Sequence, residues 1–303
     1  MLTSTYQCTL KEAVTIAGIG VHSGASATII MKPAPTGTGV TFVRTDITDK
    51  NNVIPARFDT VVDTKLCTVV ANGAGVTVAT IEHLMAAIAA VGLDNVIVEI
   101  DGPEMPIMDG SSIPFIAGIE KAGLIQQKAG RQVLIVKKTV TYTDGDKEVV
   151  LSPADGQYYG FEIEFASQAV GRQKYTYLLK TETFKKDIAP CRTFGFLHEV
   201  EHLRTLGLAR GGSLDNAIVI DGDKVLNPEG LRFGNEFVRH KILDAVGDIF
   251  LGGGQLIGHY HGVKAGHAMN NQILHVLFSD ASNYEWVDLA AAEATKKQKR
   301  VFA

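Results

Sequence analysis

Short apolar runs separated by turn residues fill residues 1–78, and the stretches 13–19, 27–31, 40–43, 53–58 and 67–71 read as strands. Gly20, Gly24, Gly37, Gly39, Gly73 and Gly75 punctuate them. The period changes at Thr80, which is placed to act as an N-cap. Residues 81–91 carry helical signals, with the Glu82 carboxylate in the first turn, where the helix dipole favours it. A strand at 95–100, a turn-rich loop and a helix at 114–122 follow. After a polar stretch at 126–131 the same grammar returns: strands at 132–136, 148–151 and 159–165, a helix at 235–251, a strand at 255–263 and a helix at 267–278.

Each half thus runs strands, helix, strand, helix, a duplication of pattern and not of residues. The pattern predicts an α+β protein of two similar domains, residues 1–127 and 128–303. If they pack helix layer on helix layer between outer sheets, the helices that open near Thr80 and Asn235 meet in the middle. The second half carries extra material at 193–223: an amphipathic helix at 196–206, a Gly211-Gly212 turn and a short apolar strand at 217–220. Insertions of this kind often carry specificity.

Composition narrows the function classes. A chain of 303 residues buries a large core and suits two domains better than one. A net charge of -4, from 29 basic and 33 acidic side chains, offers no basic field to hold nucleic acid, so none is expected as a partner. Cys8, Cys67 and Cys191 are odd in number and form no C-x-x-C pair, which argues against a disulfide framework and a thiolate zinc site and fits a reducing cytoplasm. The first 20 residues lack a basic segment followed by an apolar one, and the longest near-apolar run, 84–93, is too short to span a bilayer. A protein neither exported nor membrane-spanning is expected.

The two central helices both carry candidate metal ligands. His240 and Asp244 stand four positions apart, and at about 100° per residue they share one helix face. His83 would supply a third ligand. Two histidines and a carboxylate leave one position of a catalytic zinc open to water, and Glu82, beside a ligand, is placed to take that water's proton. An i,i+4 pair alone also occurs as ordinary solvated neighbours. Here Phe237, Val238, Ile242, Leu243, Val246, Ile249, Phe250 and Leu251 make the helix apolar nearly all round, so it should be buried. A buried carboxylate without a cation or strong donors is costly. Asp248 adds another acid one turn on. His267 follows Gly266 at a helix start, where the dipole lowers its pKa unless a carboxylate opposes it, and Asp248 is the candidate opponent. On its own His267 would read as a capping residue.

A rival motif is His198-Glu199-Val200-Glu201-His202, which matches the H-E-x-x-H of zinc proteases. Leu197, Val200, Leu203 and Leu206 form a separate apolar stripe that leaves His198, Glu199, Glu201 and His202 on the wet face. The longer protease form also fails, since Thr205 and Leu208 occupy its glycine and third-histidine places. His259 and His261, two apart on a strand, share a face and read as solvated polar positions. His22 and His275 have no supporting partner in the sequence.

Several ordered segments together resemble one family. Thr80-Ile81-Glu82-His83-Leu84, the run from Phe237 through His240 and Asp244 to Ala245, and Lys264 to Asn271 are similar to signature segments of the UDP-3-O-acyl-N-acetylglucosamine deacetylases of lipid A biosynthesis. So are Gly18 to Gly24, Pro106 to Ser111, Arg192 to Phe196 and Gly230 to Phe233, the similarity covering residues 5–280. It departs from the family at His198 and His202, which the family normally lacks, at Ala265 in place of a common serine, and after Asn283.

The resemblance implies two domains, each a β-sheet on a helix pair, that form a β-α-α-β sandwich with an insert in each domain and a metal site between them. It implies one Zn²⁺ per chain, with Fe²⁺ as the alternative, on His83, His240 and Asp244. It makes Glu82 the general base, and His267, held by Asp248, a positively charged stabiliser or acid. Thr193 is implied to help hold the oxyanion, and Lys241 and Lys264 to contact substrate. The insert becomes an apolar passage for the acyl chain, drawing on Phe194, Phe196, Leu203, Leu208 and Ala217. The expected activity is hydrolysis of the N-acetyl amide of UDP-3-O-acyl-N-acetylglucosamine by a cytoplasmic monomer that touches membrane surfaces at most transiently. The alternatives are a zinc protease using His198, Glu199 and His202, and a non-catalytic scaffold.

Overall fold

The computed structural model describes residues 4–301. Seven helices organise it: α1 (Glu82–Val91), α2 (Ile113–Ala122), α3 (Thr181–Asp187), α4 (Leu197–Thr205), α5 (Glu236–Phe250), α6 (His267–Phe278) and α7 (Leu289–Val301). A five-stranded sheet in the first half runs in the order Val14–Ile19, Ser26–Pro33, Val96–Ile100, Val40–Arg44, Val53–Pro55. Burial alternates along Ser26–Pro33 and Val40–Arg44, as period-2 strands require when one face is covered. The second half has a seven-stranded sheet centred on Gln255–Val263, which pairs parallel with Gln132–Val136 and Gln157–Glu164 and antiparallel with Lys147–Ser152. Helices α1 and α2 lie on the first sheet's side, α5 and α6 on the second's, so the molecule is a β-α-α-β sandwich. Each half carries a small three-stranded insert: Val61–Asp63, Val69–Ala71 and Thr77–Val78 in the first, Phe194–Phe196, Ile218–Asp221 and Lys224–Val225 in the second.

Strands at Val140–Asp144 and Arg172–Leu178 and the helices α3 and α7 were not expected, and other stretches depart from the sequence expectation. Thr80 is not the N-cap of α1: its φ is 60°, and Ile81 takes the cap position without a side-chain bond. Ala79 is tied on both sides to the loop at Pro103 and Met105, so the chain must turn sharply at the next residue before the helix can start. The polar stretch 126–131, to which no element was assigned, lies largely in a strand, Leu124–Gly130, that pairs antiparallel with Tyr6–Leu10. The strand expected at 53–58 stops at Pro55 and gives way to a single 3-10 turn, Phe58–Thr60. Beyond Asn283, a further strand, Tyr284–Asp288, joins the large sheet beside Gln132–Val136. Arg131, fully buried where one half passes into the other, donates to the Asp94 carboxylate and to the Gly92 and Ser4 carbonyls. Among the described residues no helix is long and apolar enough to cross a membrane.

The α1–α5 contact is the centre of the sandwich. All ten residues of α1 are buried, Glu82 and His83 included, and α5 buries all but Arg239 and Lys241. Ala86, Ala87, Ala89 and Ala90 keep α1 slim enough for the approach. At the crossing, a Cβ on Gly247 would stand 2.1 Å from the Glu82 carbonyl oxygen and 3.0 Å from the Ala86 nitrogen. Both are backbone atoms and cannot swing away. Gly247→Ala should therefore destabilise the protein by about 1–3 kcal/mol or more, outweighing the roughly 1 kcal/mol that alanine gains in a helix. Chemical denaturation checks this, and a variant as stable as the wild type would show that the two helices can part.

Candidate active site

Helices α1 and α5 bring the sequence-predicted ligands together. The Asp244 Oδ1 lies 3.7 Å from the His83 Nε2 and 3.3 Å from the His240 Nε2, and the two imidazole centroids are 5.0 Å apart in an edge-on arrangement. One donor atom from each of the three residues falls within 4.8 Å of the others, and among the described residues this is the one such group. His240 Nδ1 sits 3.0 Å from the Cys191 carbonyl, which places the proton on Nδ1 and leaves the Nε2 lone pair facing the group. Burial pulls the pKa of His83 down to about 3 and lowers that of His240, so both rings are neutral at pH 7, the form in which imidazole can hold a metal. Burial opposes ionisation of Asp244, but the neighbouring His240 and the Lys241 ammonium, 2.7 Å from Oδ2, hold the carboxyl well below its usual range. Oδ1 is left buried with no hydrogen-bond donor. A buried anionic oxygen flanked by two lone-pair nitrogens is what a divalent cation satisfies and what no other group present does.

Beside this group stands a second cluster. Burial pushes the Glu82 carboxyl up to about 7. Its Oε2 accepts from the Thr68 amide at 3.1 Å, and its Oε1 lies 3.8 Å from the His267 Nε2. His267 opens α6, and its Nδ1 lies 2.7 Å from the Asp248 Oδ2. Burial works to lower this imidazole, but the Asp248 and Glu82 charges outweigh it and raise its pKa to about 9. Asp248 is in turn held by the Thr68 hydroxyl at 2.6 Å and the Asn270 amide at 2.8 Å, and Asn270 accepts from the Tyr260 hydroxyl at 2.5 Å. Thr68 is the residue that sequence reasoning missed. A lone threonine at a strand start carries no signal that it will touch both Glu82 and Asp248.

Two cavities meet at these residues. One, of about 600 Å³, is lined by Glu82, His83, His240, Lys241, Asp244 and His267, with Lys65, Lys147, Phe165 and Phe196 at its sides. The other, of about 410 Å³, runs from His83 and Thr193 into the second-half insert between Leu66, Leu197, Val200, Leu203, Ala217, Val219 and Leu226. Thr193 and Phe194 line both, and the Thr193 hydroxyl makes no hydrogen bond among the described residues. Of the expected passage residues, Phe194, Leu203 and Ala217 line the apolar cavity. Phe196 lies in the first cavity instead, packed on Phe165 at 5.6 Å. Leu208 is placed in the turn after α4, its amide bonded to the Leu203 carbonyl, and lines neither. Lys264 is drawn off to Asp146 at 3.0 Å and Glu164 at 2.9 Å. Leu66, Leu214 and Leu226, which the sequence did not single out, complete the apolar lining while staying more than a third exposed. On α4, His198 and His202 are exposed as expected, but Leu206 leaves the apolar stripe and is 62% exposed.

A titration checks the electrostatics. In the metal-free protein, ring NMR should show His267 protonated up to about pH 9. Asp248→Asn removes the larger of the two raising charges, so the ring should lose its proton at distinctly lower pH. An unchanged titration would mean that Asp248 does not hold the imidazolium.

The family model described as UDP-3-O-acyl N-acetylglycosamine deacetylase matches residues 7–279. A protein of Phenylobacterium zucineum named UDP-3-O-acyl-N-acetylglucosamine deacetylase is 51% identical over 272 residues, 90% of this chain and 93% of its own length. Proteins of the same name from Myxococcus xanthus and Vibrio vulnificus are 48% and 44% identical, covering 95% and 92% of this chain and 91% and 92% of their own.

Proposed function

Since the chain belongs to the UDP-3-O-acyl N-acetylglycosamine deacetylase family, we propose that it hydrolyses the N-acetyl amide of a UDP-linked, 3-O-acylated glucosamine, releasing acetate in the committed step of lipid A biosynthesis. The observation that carries the mechanism is the orphaned Asp244 Oδ1 between two imidazole nitrogens, set directly beside the Glu82–His267 pair. His83, His240 and Asp244 would hold the ion, and Zn²⁺ suits this two-nitrogen, one-oxygen set, with Fe²⁺ an acceptable substitute. When bound, zinc supplies Lewis acidity, which lowers the pKa of a water toward about 7 and polarises a carbonyl.

The chain's own groups do the rest. Glu82, whose burial tunes it near neutrality, accepts the proton of the attacking water. As the water oxygen bonds to the acetyl carbon, negative charge collects on the former carbonyl oxygen. The His267 imidazolium and the uncommitted Thr193 hydroxyl face that charge, and a stabiliser of this kind contributes about 10²–10³ in rate. Collapse breaks the C–N bond, and the amine leaves with a proton from Glu82 or His267, which stand 3.8 Å apart at the same cavity wall. Asp248 keeps His267 charged and aimed, while Thr68 holds Asp248 and Glu82 in one register. Lys241 lines the same cavity. The apolar cavity accepts the 3-O-acyl chain, each buried CH₂ contributing about 0.8 kcal/mol. The three buried free cysteines suit a reducing cytoplasm.

Metal content and acetate release, measured together, test the reading. Glu82→Gln should keep the metal and lose turnover, His240→Ala should lose both, and His198→Ala should keep both. Metal loss in His198→Ala would favour the protease alternative. A second series tests the tie through Thr68. Thr68→Val should lower kcat about tenfold to a hundredfold with little change in KM, and Thr68→Ser should restore it. Equal rates for the valine and serine variants would remove the hydroxyl from the mechanism.

A further inference from the structure

Two fully buried charged side chains, Arg192 and Glu236, take no part in the chemistry above. Glu236 stands on the first turn of α5, one turn ahead of His240, so its carboxylate and the His240 ring meet the same neighbouring segment. That carboxylate collects four donors. Its Oε1 accepts from the Arg192 amide and the Arg192 Nε, both at 3.0 Å, and its Oε2 accepts from the Arg232 amide at 2.5 Å and the Arg192 Nη2 at 3.3 Å. The guanidinium also donates to the Glu229 carboxylate at 2.5 Å and the Gly230 carbonyl at 2.7 Å.

Three consecutive residues are fixed in this way. The Cys191 carbonyl faces the His240 Nδ1 at 3.0 Å, and Arg192 is gripped at both backbone and side chain by Glu236. Thr193 then donates its amide to the Gly110 carbonyl at 2.9 Å and accepts from the Ile218 amide at 2.8 Å. A Cβ built on Gly110 would stand 3.4 Å from the Thr193 Cγ2, so the methyl arm of Thr193 is turned toward that loop. The hydroxyl arm is left, without a partner, in the wall that the two cavities share. A buried ion pair adds little stability over apolar packing of the same volume, and its best-attested use is to fix one register.

We infer that Arg192, clasped by Glu236, is a positioning residue that sets where the Thr193 hydroxyl points; its catalytic consequence rests on the proposed amide hydrolysis. Register matters here because misplacing a reacting or stabilising group by about 1 Å can lower a rate on the order of a hundredfold. The planar fork of arginine serves Glu236, Glu229 and the Gly230 carbonyl at once. A lysine ammonium is a point charge on a flexible stem and does not hold that set in one plane.

The test uses zinc-loaded protein and two variants. Arg192→Lys keeps the charge and loses the fork, while Glu236→Gln keeps the shape and turns an NH₂ group toward N–H donors. The bond between His240 and Cys191 remains in both, so both should retain their metal. Each should lower kcat about tenfold to a hundredfold with little change in KM. By hydrogen exchange, the Thr193 amide should exchange distinctly faster than in the wild type, while the amides in the middle of α5 keep their protection. Added to Thr193→Val, neither substitution should cost a further loss of kcat, since the hydroxyl it places is already gone. Losses that multiply in the double variants, or an unchanged Thr193 exchange rate in both single variants, overturn the assignment. A wild type that releases no acetate would sink the proposed activity alone, because exchange needs no reaction and would still report whether Thr193 is set loose.

Discussion

Taking three carboxylates out of water at one helix–helix contact is the constraint that the rest of the structure answers. Glu82, Asp244 and Asp248 are 4%, 3% and 2% exposed, and an ionised carboxylate so placed costs several kcal/mol unless it is compensated. Each is compensated differently. Asp248 is surrounded by donors: the Thr68 hydroxyl, the Asn270 amide and the His267 ring. Asp244 has Lys241 on one oxygen and leaves the other for a cation. Glu82 receives one backbone amide and is left able to hold or release its proton near neutrality. Under the proposed mechanism, similar residues a few ångströms apart would thus serve as an anchor, a ligand and a base.

The geometry of that division is set by backbone and not by long side chains. Gly247 and the small residues of α1 let the two helices approach until backbone meets the Cα of a glycine, and this distance places His83 opposite His240 and Asp244. Ligands carried on helices pressed together in this way have little freedom to drift, which is what a site with fixed donor spacing needs.

Much of this arrangement was legible in the sequence, for identifiable reasons. The four-residue spacing of His240 and Asp244, inside a helix apolar nearly all round, announced both a shared face and a burial that demanded a counter-charge. The repeated order of strands and helices suggested which distant segment would face it. Where the structure surprised, the decisive partner was remote or was an absence. Thr68 bonds to Asp248 across 180 positions. Thr80 turns left-handed because Ala79 is tied to a loop that no local pattern predicts. Leu124–Gly130 became a strand because Tyr6–Leu10 lay ready to pair with it, although its composition is that of a linker. The apolar cavity draws on exposed leucines at 66, 214 and 226, whose roles depend on how the inserts fold over one another.

The division of the candidate ligands between the halves also bears on how the molecule comes apart. His83 belongs to the first half and His240 and Asp244 to the second, so no metal site exists until nearly the whole chain has collapsed and the helix layers have docked. An ion can therefore do little to speed folding, whose slow step is the search for long-range contacts. An ion held by these three residues would bridge the seam between the halves, and any route that opens the sandwich would first have to release it. Its effect on lifetime would fall on the escape rate from the native state, so that such an ion would act as a kinetic latch as well as a reagent.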